Sequence, residues 1–244
     1  MKSSRAEFLE RTRRAAWAFG RDVREGLLAQ YRERYGVSVV PPPALIIDEL
    51  LTDFLGARLI YLPLALNVYA QTEWLVDRVL VTVNSLVGCI PGVRDPGGVR
   101  NVAKWHEAIH TVHDIEVIRM GTSGMLPGFD APPKIVCYRT GGKLADRDIL
   151  RREYWAEEAG RAAAVSHEAL SRSEAFRELL RLAECSGGRV RQGWPLLFRA
   201  ASDIAVNSSA LVKQLRLEGL IATPKDTSLG IDVQTSLPEM FEAG

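Results

Sequence analysis

The sequence predicts an α+β fold in which helices dominate and a small, mostly antiparallel three-stranded sheet packs against them. Three observations predict it. Apolar residues recur at helical spacing through several long segments, one run is rich in β-branched residues and ends at a turn signal, and glycine and proline cluster between these stretches. The 244 residues, 47% hydrophobic and 25% charged, have a globular composition and a length that suits one large domain or two small ones. A chain of this size buries roughly 70–75% of its unfolded surface and needs no staples. Cys89, Cys137 and Cys185 are too scattered for a disulfide framework or a cysteine-based zinc site. A formal charge of +1 excludes a strongly basic nucleic-acid coat and an acidic tail protein. No apolar run reaches membrane-span length. The opening MKSSRAEFLERTRR lacks the apolar stretch of a secretory signal, so a soluble, cytoplasmic protein is expected.

Residues 5–34 read as a helix, with Phe8, Ala15, Phe19, Val23, Leu27 and Tyr31 on one face. The nine basic and five acidic side chains of segment 1–34 read as a solvated surface. Val39-Val40-Pro41-Pro42-Pro43 is a stiff spacer, which makes 1–40 a helix and linker. A second helix is expected over 44–54, with Leu45, Ile46, Leu50 and Leu51 inward and Gly56 as its stop. Strand-like pieces follow at 57–62, 66–70 and 76–83, the last closed by Asn84-Ser85. Residues 88–98 form a Gly/Pro loop, and 99–114 turn helical again. The Gly- and Pro-rich stretch 120–143 surrounds a strand-like piece at 134–138 and is long enough to suggest a functional loop. Helices are expected over 146–166 and from Ser171, where Ser171 and Glu174 suit a capping box. Gly187-Gly188 closes a main unit, 41–186. Two short helices at 194–205 and 208–218, with Ser208 as N-cap and Gly219 as stop, make a helical subdomain over 187–222. The tail, 223–244, carries a strand-like piece at 229–233.

The chemistry concentrates in Lys104-Trp105-His106-Glu107-Ala108-Ile109-His110, an H-E-x-x-H pattern on an expected helix. Residues four apart lie one turn apart on one face, so the imidazoles of His106 and His110 converge on a point that suits a zinc ion. Glu107 can approach a water there without ligating the metal and serve as general base and proton shuttle. With 4 His in the chain, a chance match is expected only roughly 0.005 times per chain, so chance is a poor explanation. A catalytic zinc needs a third protein ligand and an open position. His113 splays poorly around a tetrahedral ion from the same straight helix. Glu153 and Glu157 share a face of the next long helix, beside Ala156, Ala159, Gly160 and Ala163, small residues that permit close packing. Spacing does not choose between them. Tyr138, Tyr154, His167 and His113 are candidates for a transition-state donor or a hydrogen-bonding partner around the metal.

Four segments together resemble the ImmA/IrrE family of bacterial zinc peptidases, over about residues 44–221. They are Pro43-Ala44-Leu45-Ile46-Ile47-Asp48-Glu49-Leu50-Leu51, the strand Val79-Leu80-Val81-Thr82-Val83-Asn84, the approach Gly98-Val99-Arg100-Asn101-Val102-Ala103 into the motif, and Glu153-Tyr154-Trp155-Ala156-Glu157-Glu158-Ala159-Gly160-Arg161-Ala162. The chain departs from the family pattern at Trp105, Ala108-Ile109, Ala159 and Val165-Ser166, none of which carries a metal-binding atom. The resemblance implies a zincin-like core over 41–186 with one zinc per chain, held by His106, His110 and Glu153, and Glu107 as catalytic base. It implies cleavage of a helix-turn-helix repressor to induce stress-response or mobile-element genes. The helices at 194–205 and 208–218 have a helix-turn-helix outline, but five basic against two acidic residues over 189–218 is modest for phosphate contact, so partner docking is favoured over DNA binding. The alternative is a regulator that binds DNA or a partner without cleaving, or a toxin–antitoxin component, with a structural metal.

Overall fold

No proline precedes Pro41, and the chain opens with one continuous helix, α1 (Lys2–Tyr35), in the computed structural model, which describes residues 2–75, 78–122, 147–222 and 230–234. The buried face of α1 is rotated from the expected one: Ala16, Trp17, Gly20, Arg24, Leu27 and Leu28 point inward, while Phe8 and Ala15 are exposed. The reason lies in the partner. α1 packs along α4 (Arg147–Ala164) so closely that a Cβ on Gly20 would collide with the backbone of Ala159. Arg24 donates from Nη1 to the carbonyls of Ala162 and Val165, at 3.0 and 3.2 Å, and satisfies the C-terminal end of α4. Glycine and arginine at an interface are invisible to a hydropathy pattern.

After the proline spacer, α2 (Ile47–Glu49) runs directly into a π-helical turn (Leu50–Phe54), so the expected helix over 44–54 is shorter and wider than a regular one. Ile46, Ile47, Leu50 and Leu51 are buried, but Leu45, expected inward, is exposed. Gly56, at φ 65°, ends the turn. The first sheet has strand order β1-β3-β2, from β1 (Arg58–Leu62), β2 (Ala70–Trp74) and β3 (Val79–Asn84). β1 pairs parallel with β3, and β2 pairs antiparallel with β3 in the register Ala70↔Val83 to Trp74↔Val79. The second strand in chain order lies at 70–74 rather than at 66–70, because Ala70, Thr72 and Trp74 alternate inward with Gln71 and Glu73 between them. The buried amide of Asn84 anchors the intervening loop: its Oδ1 accepts from the Leu64 and Leu86 amides, and its Nδ2 donates to the Val68 carbonyl at 2.7 Å.

Asp95 and Pro96 start α3 (Pro96–Thr122), with the Gly98 amide donating to Asp95 Oδ1 at 2.9 Å. Residues 102–111 of α3 are all buried except that its flanks reach solvent, since β2 and β3 cover one side and α4 the other. The α3–α4 crossing is set by Gly160, where a Cβ would lie 2.8 Å from the backbone N and Cα of His106. Next come α5 (His167–Arg172) and α6 (Glu174–Cys185). Ser173 caps α6 by accepting from the Phe176 amide at 3.2 Å, whereas Ser171, the expected cap, lies inside α5 and donates back to the Glu168 carbonyl. α7 (Gly193–Asp203) and α8 (Ser208–Leu217) follow, and Asn207 rather than Ser208 is the N-cap of α8. A second, antiparallel sheet, ordered β4-β6-β5, joins β4 (Arg189–Val190), β5 (Ile221–Ala222) and β6 (Ile231–Val233). The molecule is therefore α+β, with antiparallel pairing predominant over the two small sheets together. One large cluster of buried apolar side chains spans both, and a smaller one (Ala16, Ile109, Ala156 and Ala159) joins α1, α3 and α4. Among the described residues no helix is long and apolar enough to cross a membrane. The expected strand at 134–138, with Tyr138, and the expected loop beyond Thr122 lie outside the described residues.

Candidate metal centre

α3 is a buried helix that nevertheless carries Lys104, His106, Glu107 and His110 in its covered segment. Burying so many ionisable groups is costly unless each meets a partner, and the partners sort these residues by role. Lys104 pairs with Asp48 of α2, whose other oxygen accepts from Tyr61 at 2.7 Å. Burial and the Asp48 carboxylate push the Tyr61 phenol well above its usual range. That cluster pins α3 to α2 and β1.

One turn further on, His106 and His110 place their Nε2 atoms 3.1 Å apart. Glu153 of α4 closes the triangle, with Oε2 3.3 Å from His106 Nε2 and Oε1 3.6 Å from His110 Nε2. These three residues form the group among the described residues able to hold a metal ion, with donor atoms all within 4.8 Å of one another. Tetrahedral zinc with ligand bonds of about 2.0–2.1 Å would set its donors about 3.3 Å apart, and the observed separations bracket that value. Two buried polar atoms at this place make no hydrogen bond: Glu153 Oε2 and His106 Nδ1. Two imidazoles and a carboxylate, converging with an unbonded lone pair, are the donor chemistry of a zinc site, and the residues fit the ion.

Glu107 points elsewhere, as the residue after a ligand must on a helix. It is 1% exposed, and its Oε2 accepts a 2.7 Å hydrogen bond from Thr72 Oγ1 on β2. The Thr111 hydroxyl donates back to the Glu107 carbonyl. The choice left open by spacing is made by packing: Glu153 faces the histidines, while Glu157 turns toward α8, where Lys213 Nζ lies 2.8 Å and Arg161 Nη1 3.6 Å away.

The other expected residues are dispersed. The ring of His113 packs against Phe19 and Trp155, with centroids 5.7 and 5.8 Å apart. Tyr154 lies near Arg13 of α1: partial burial lowers the guanidinium pKa, but Tyr154 and the Glu158 and Glu10 carboxylates together raise it above its ordinary value. His167 contacts Glu218 at 2.9 Å, far along the chain from the motif. Despite burial, the His167 and Gln214 hydrogen bonds hold the Glu218 carboxyl below the usual carboxylate range.

Two features of the site are not legible from spacing or hydropathy: Thr72 and the approach of α8. Thr72 falls between the expected strand-like pieces at 66–70 and 76–83; its inward phase between Ala70 and Trp74 is the signal that marks it. Gly160, expected with its alanine neighbours to permit close packing, does set how close α4 comes to His106. The N-terminal part of α8 sits beside the centre, where Asn207, Ser209 and Lys213 line a cavity of about 120 Å³ shared with His106, Glu157 and Arg161. Asn101 Nδ2 fastens the α7–α8 turn to α3 by donating to the Ala205 carbonyl at 2.9 Å. Comparison of the chain with protein-family models, with curated proteins and with solved structures gives no match.

Proposed function

We propose that this chain is a zinc-dependent endopeptidase with a zincin-like core. The observation that carries the reading is the buried convergence of His106, His110 and Glu153 on one point, next in sequence to a buried Glu107 anchored by Thr72. His106 and His110 would hold zinc as neutral imidazoles and Glu153 as a carboxylate. When bound, zinc supplies a Lewis acid that acidifies water and polarises a carbonyl. Glu107 accepts the proton of the attacking water and later returns a proton to the leaving amine. Burial of α3 keeps bulk water from these groups and strengthens their electrostatics.

The sheet supports a peptide substrate. β2 is an edge strand of its sheet, and Thr72 ties it to Glu107. An extended peptide added along that edge passes close to the base, with main-chain hydrogen bonds giving affinity irrespective of sequence. The resemblance described above supplies the substrate class, a helix-turn-helix repressor cut in the cytoplasm to induce stress-response or mobile-element genes. α7 and α8 serve as a wall of the site and a docking surface for the partner rather than a DNA reader. Lys213 is engaged by Glu157, and the turn that precedes α8 is fixed on α3.

The test is metal content and cleavage together. Purified protein should carry one zinc per chain and cut a helix-turn-helix repressor encoded beside its gene. Glu107→Gln should keep the zinc and lose cutting by roughly 100-fold or more. Equal cutting by the Gln variant, or a wild-type chain that takes up no zinc, sinks the reading.

A further inference from the structure

The inward face of β2 consists of Ala70, Thr72 and Trp74, and Thr72 is completely buried there. Valine has nearly the same shape and a higher preference for a strand in apolar surroundings. A hydroxyl at such a place costs free energy unless it is hydrogen-bonded. Its bond goes to Glu107 Oε2 at 2.7 Å, within the range of a strong charge-assisted contact. Glu107 is itself 1% exposed. A helix packed against a sheet gains nothing in stability from a carboxylate at that position. The pair therefore makes structural sense only if the carboxylate is needed and must be held.

We infer that Thr72 is a positioning residue: its hydroxyl fixes one oxygen of Glu107 and so holds the carboxylate in one place on the helix turn that carries His106 and His110. This inference rests on the peptidase reading. It assigns to the edge strand a second task, since the element that receives the substrate also aims the base. A peptide that shifts β2 would shift Glu107 with it. A glutamate has three rotatable bonds, and catalytic groups need placement within about 0.5 Å, which packing and hydrogen bonds must supply.

The test uses the zinc-loaded full chain and acetohydroxamate as probe. This ligand binds zinc through its two oxygens after its O–H bond breaks and the proton passes to a neighbouring carboxylate. Its affinity therefore reports where Glu107 is, without a known substrate. Thr72→Val should weaken acetohydroxamate binding roughly 10- to 100-fold while zinc affinity is unchanged. Thr72→Ser, which keeps the hydroxyl, should restore it. Crystal structures of both variants should show the Glu107 carboxylate displaced in Thr72→Val and in place in Thr72→Ser. Thr72→Ala replaces the valine variant if that one does not fold. An unmoved Glu107 with undiminished binding in the variant lacking the hydroxyl overturns the inference. Glu107→Gln separates the two levels. If it binds acetohydroxamate like wild type, the base assignment itself fails; if it binds weakly while Thr72→Val binds normally, only the role of Thr72 fails. Should the chain take up no zinc, the position of Glu107 in the two variant structures still decides whether Thr72 holds it.

Discussion

Two carboxylates of α4, Glu153 and Glu158, lie little more than one turn apart, and their surroundings are opposite. Glu158 is 2% exposed and fully provided for: Arg161 pairs with it, Trp17 Nε1 donates to it at 3.1 Å, and Arg13 and Lys213 approach to 3.8 Å. Arg161 continues the network into α8 by donating from Nε to Gln214 at 3.2 Å. Glu153 meets no such company. Among the described residues its ion-pair partners are the imidazoles of His106 and His110, and its Oε2 accepts no hydrogen bond. The first carboxylate carries its counter-charge within the fold and joins α1, α4 and α8. The second is left incomplete, facing the helix turn on which Glu107, another buried acid, follows His106. In the reading proposed above, a divalent cation bound there would supply the counter-charge that Glu153 does not find within the fold. The same residue type on the same helix is thus tied into the fold in one place and left with an unbonded oxygen beside two imidazoles in the other.

Exchanging the two acids for neutral residues breaks this comparison most strongly. Glu158→Ala leaves the buried Arg161 guanidinium without its main partner and should cost about 3–5 kcal/mol of stability in denaturant unfolding. The fraction that folds should still take up one zinc. Glu153→Gln should act in the reverse sense, with unfolding of the zinc-free protein unchanged or slightly improved and zinc binding abolished. The wild type, at a zinc concentration 1,000 times the dissociation constant, should gain about 4 kcal/mol, and the Gln variant nothing. If both substitutions lower stability alike and both spare the zinc, Glu153 is another structural carboxylate.

This contrast also marks what a sequence discloses. His106, Glu107 and His110 were legible because their relation is local: four residues are one turn, wherever the helix goes. Glu153 and Glu157 were indistinguishable because they share a face, and only the crossing of α4 over α3 decides which meets the imidazoles. That crossing depends on Gly20 and Gly160, residues whose contribution is a missing atom. The face of α1 was misplaced for a related reason. Hydropathy marks Phe8 and Ala15, but the contact with α4 uses Gly20, Ala16 and a buried Arg24 that serves carbonyls. Thr72 was hidden because its value lies in a bond to a residue in another element. The helix caps slipped between neighbours of equal propensity, Ser171 against Ser173 and Ser208 against Asn207.

The crossing is open to a smaller perturbation. Gly160→Ala would place a methyl carbon 2.8 Å from the backbone N and Cα of His106, atoms that have no side-chain freedom with which to retreat. The helices must separate. Overpacking of this kind costs about 1–3 kcal/mol. The more telling effect is on the metal, because widening the crossing draws Glu153 away from His106 and His110. Zinc affinity, read by competition with a chromogenic chelator, should fall in this variant although every ligand is present. Unchanged affinity means that the triad tolerates a shift between its two helices, and the centre is then looser than its 3.1–3.6 Å donor separations suggest.

The smallest expected effect is the most selective. Glu157 lies one turn from Glu153 and its side chain is 36% exposed, paired with Lys213, itself 48% exposed. Solvent screens a pair of this kind, so Glu157→Gln should change stability by about 0–1 kcal/mol. It should leave zinc stoichiometry and affinity as in the wild type, in contrast to Glu153→Gln. Loss of zinc from the Glu157 variant would mean that α4 is turned by about 40° relative to this structure, since four residues fall about that far beyond a full helical turn. A rotation of that size would also carry Gly160 off His106 and Glu158 off Trp17. The three substitutions on α4 therefore test a single orientation: Glu158→Ala reads it through stability, Gly160→Ala through zinc affinity, and Glu157→Gln through the absence of either change.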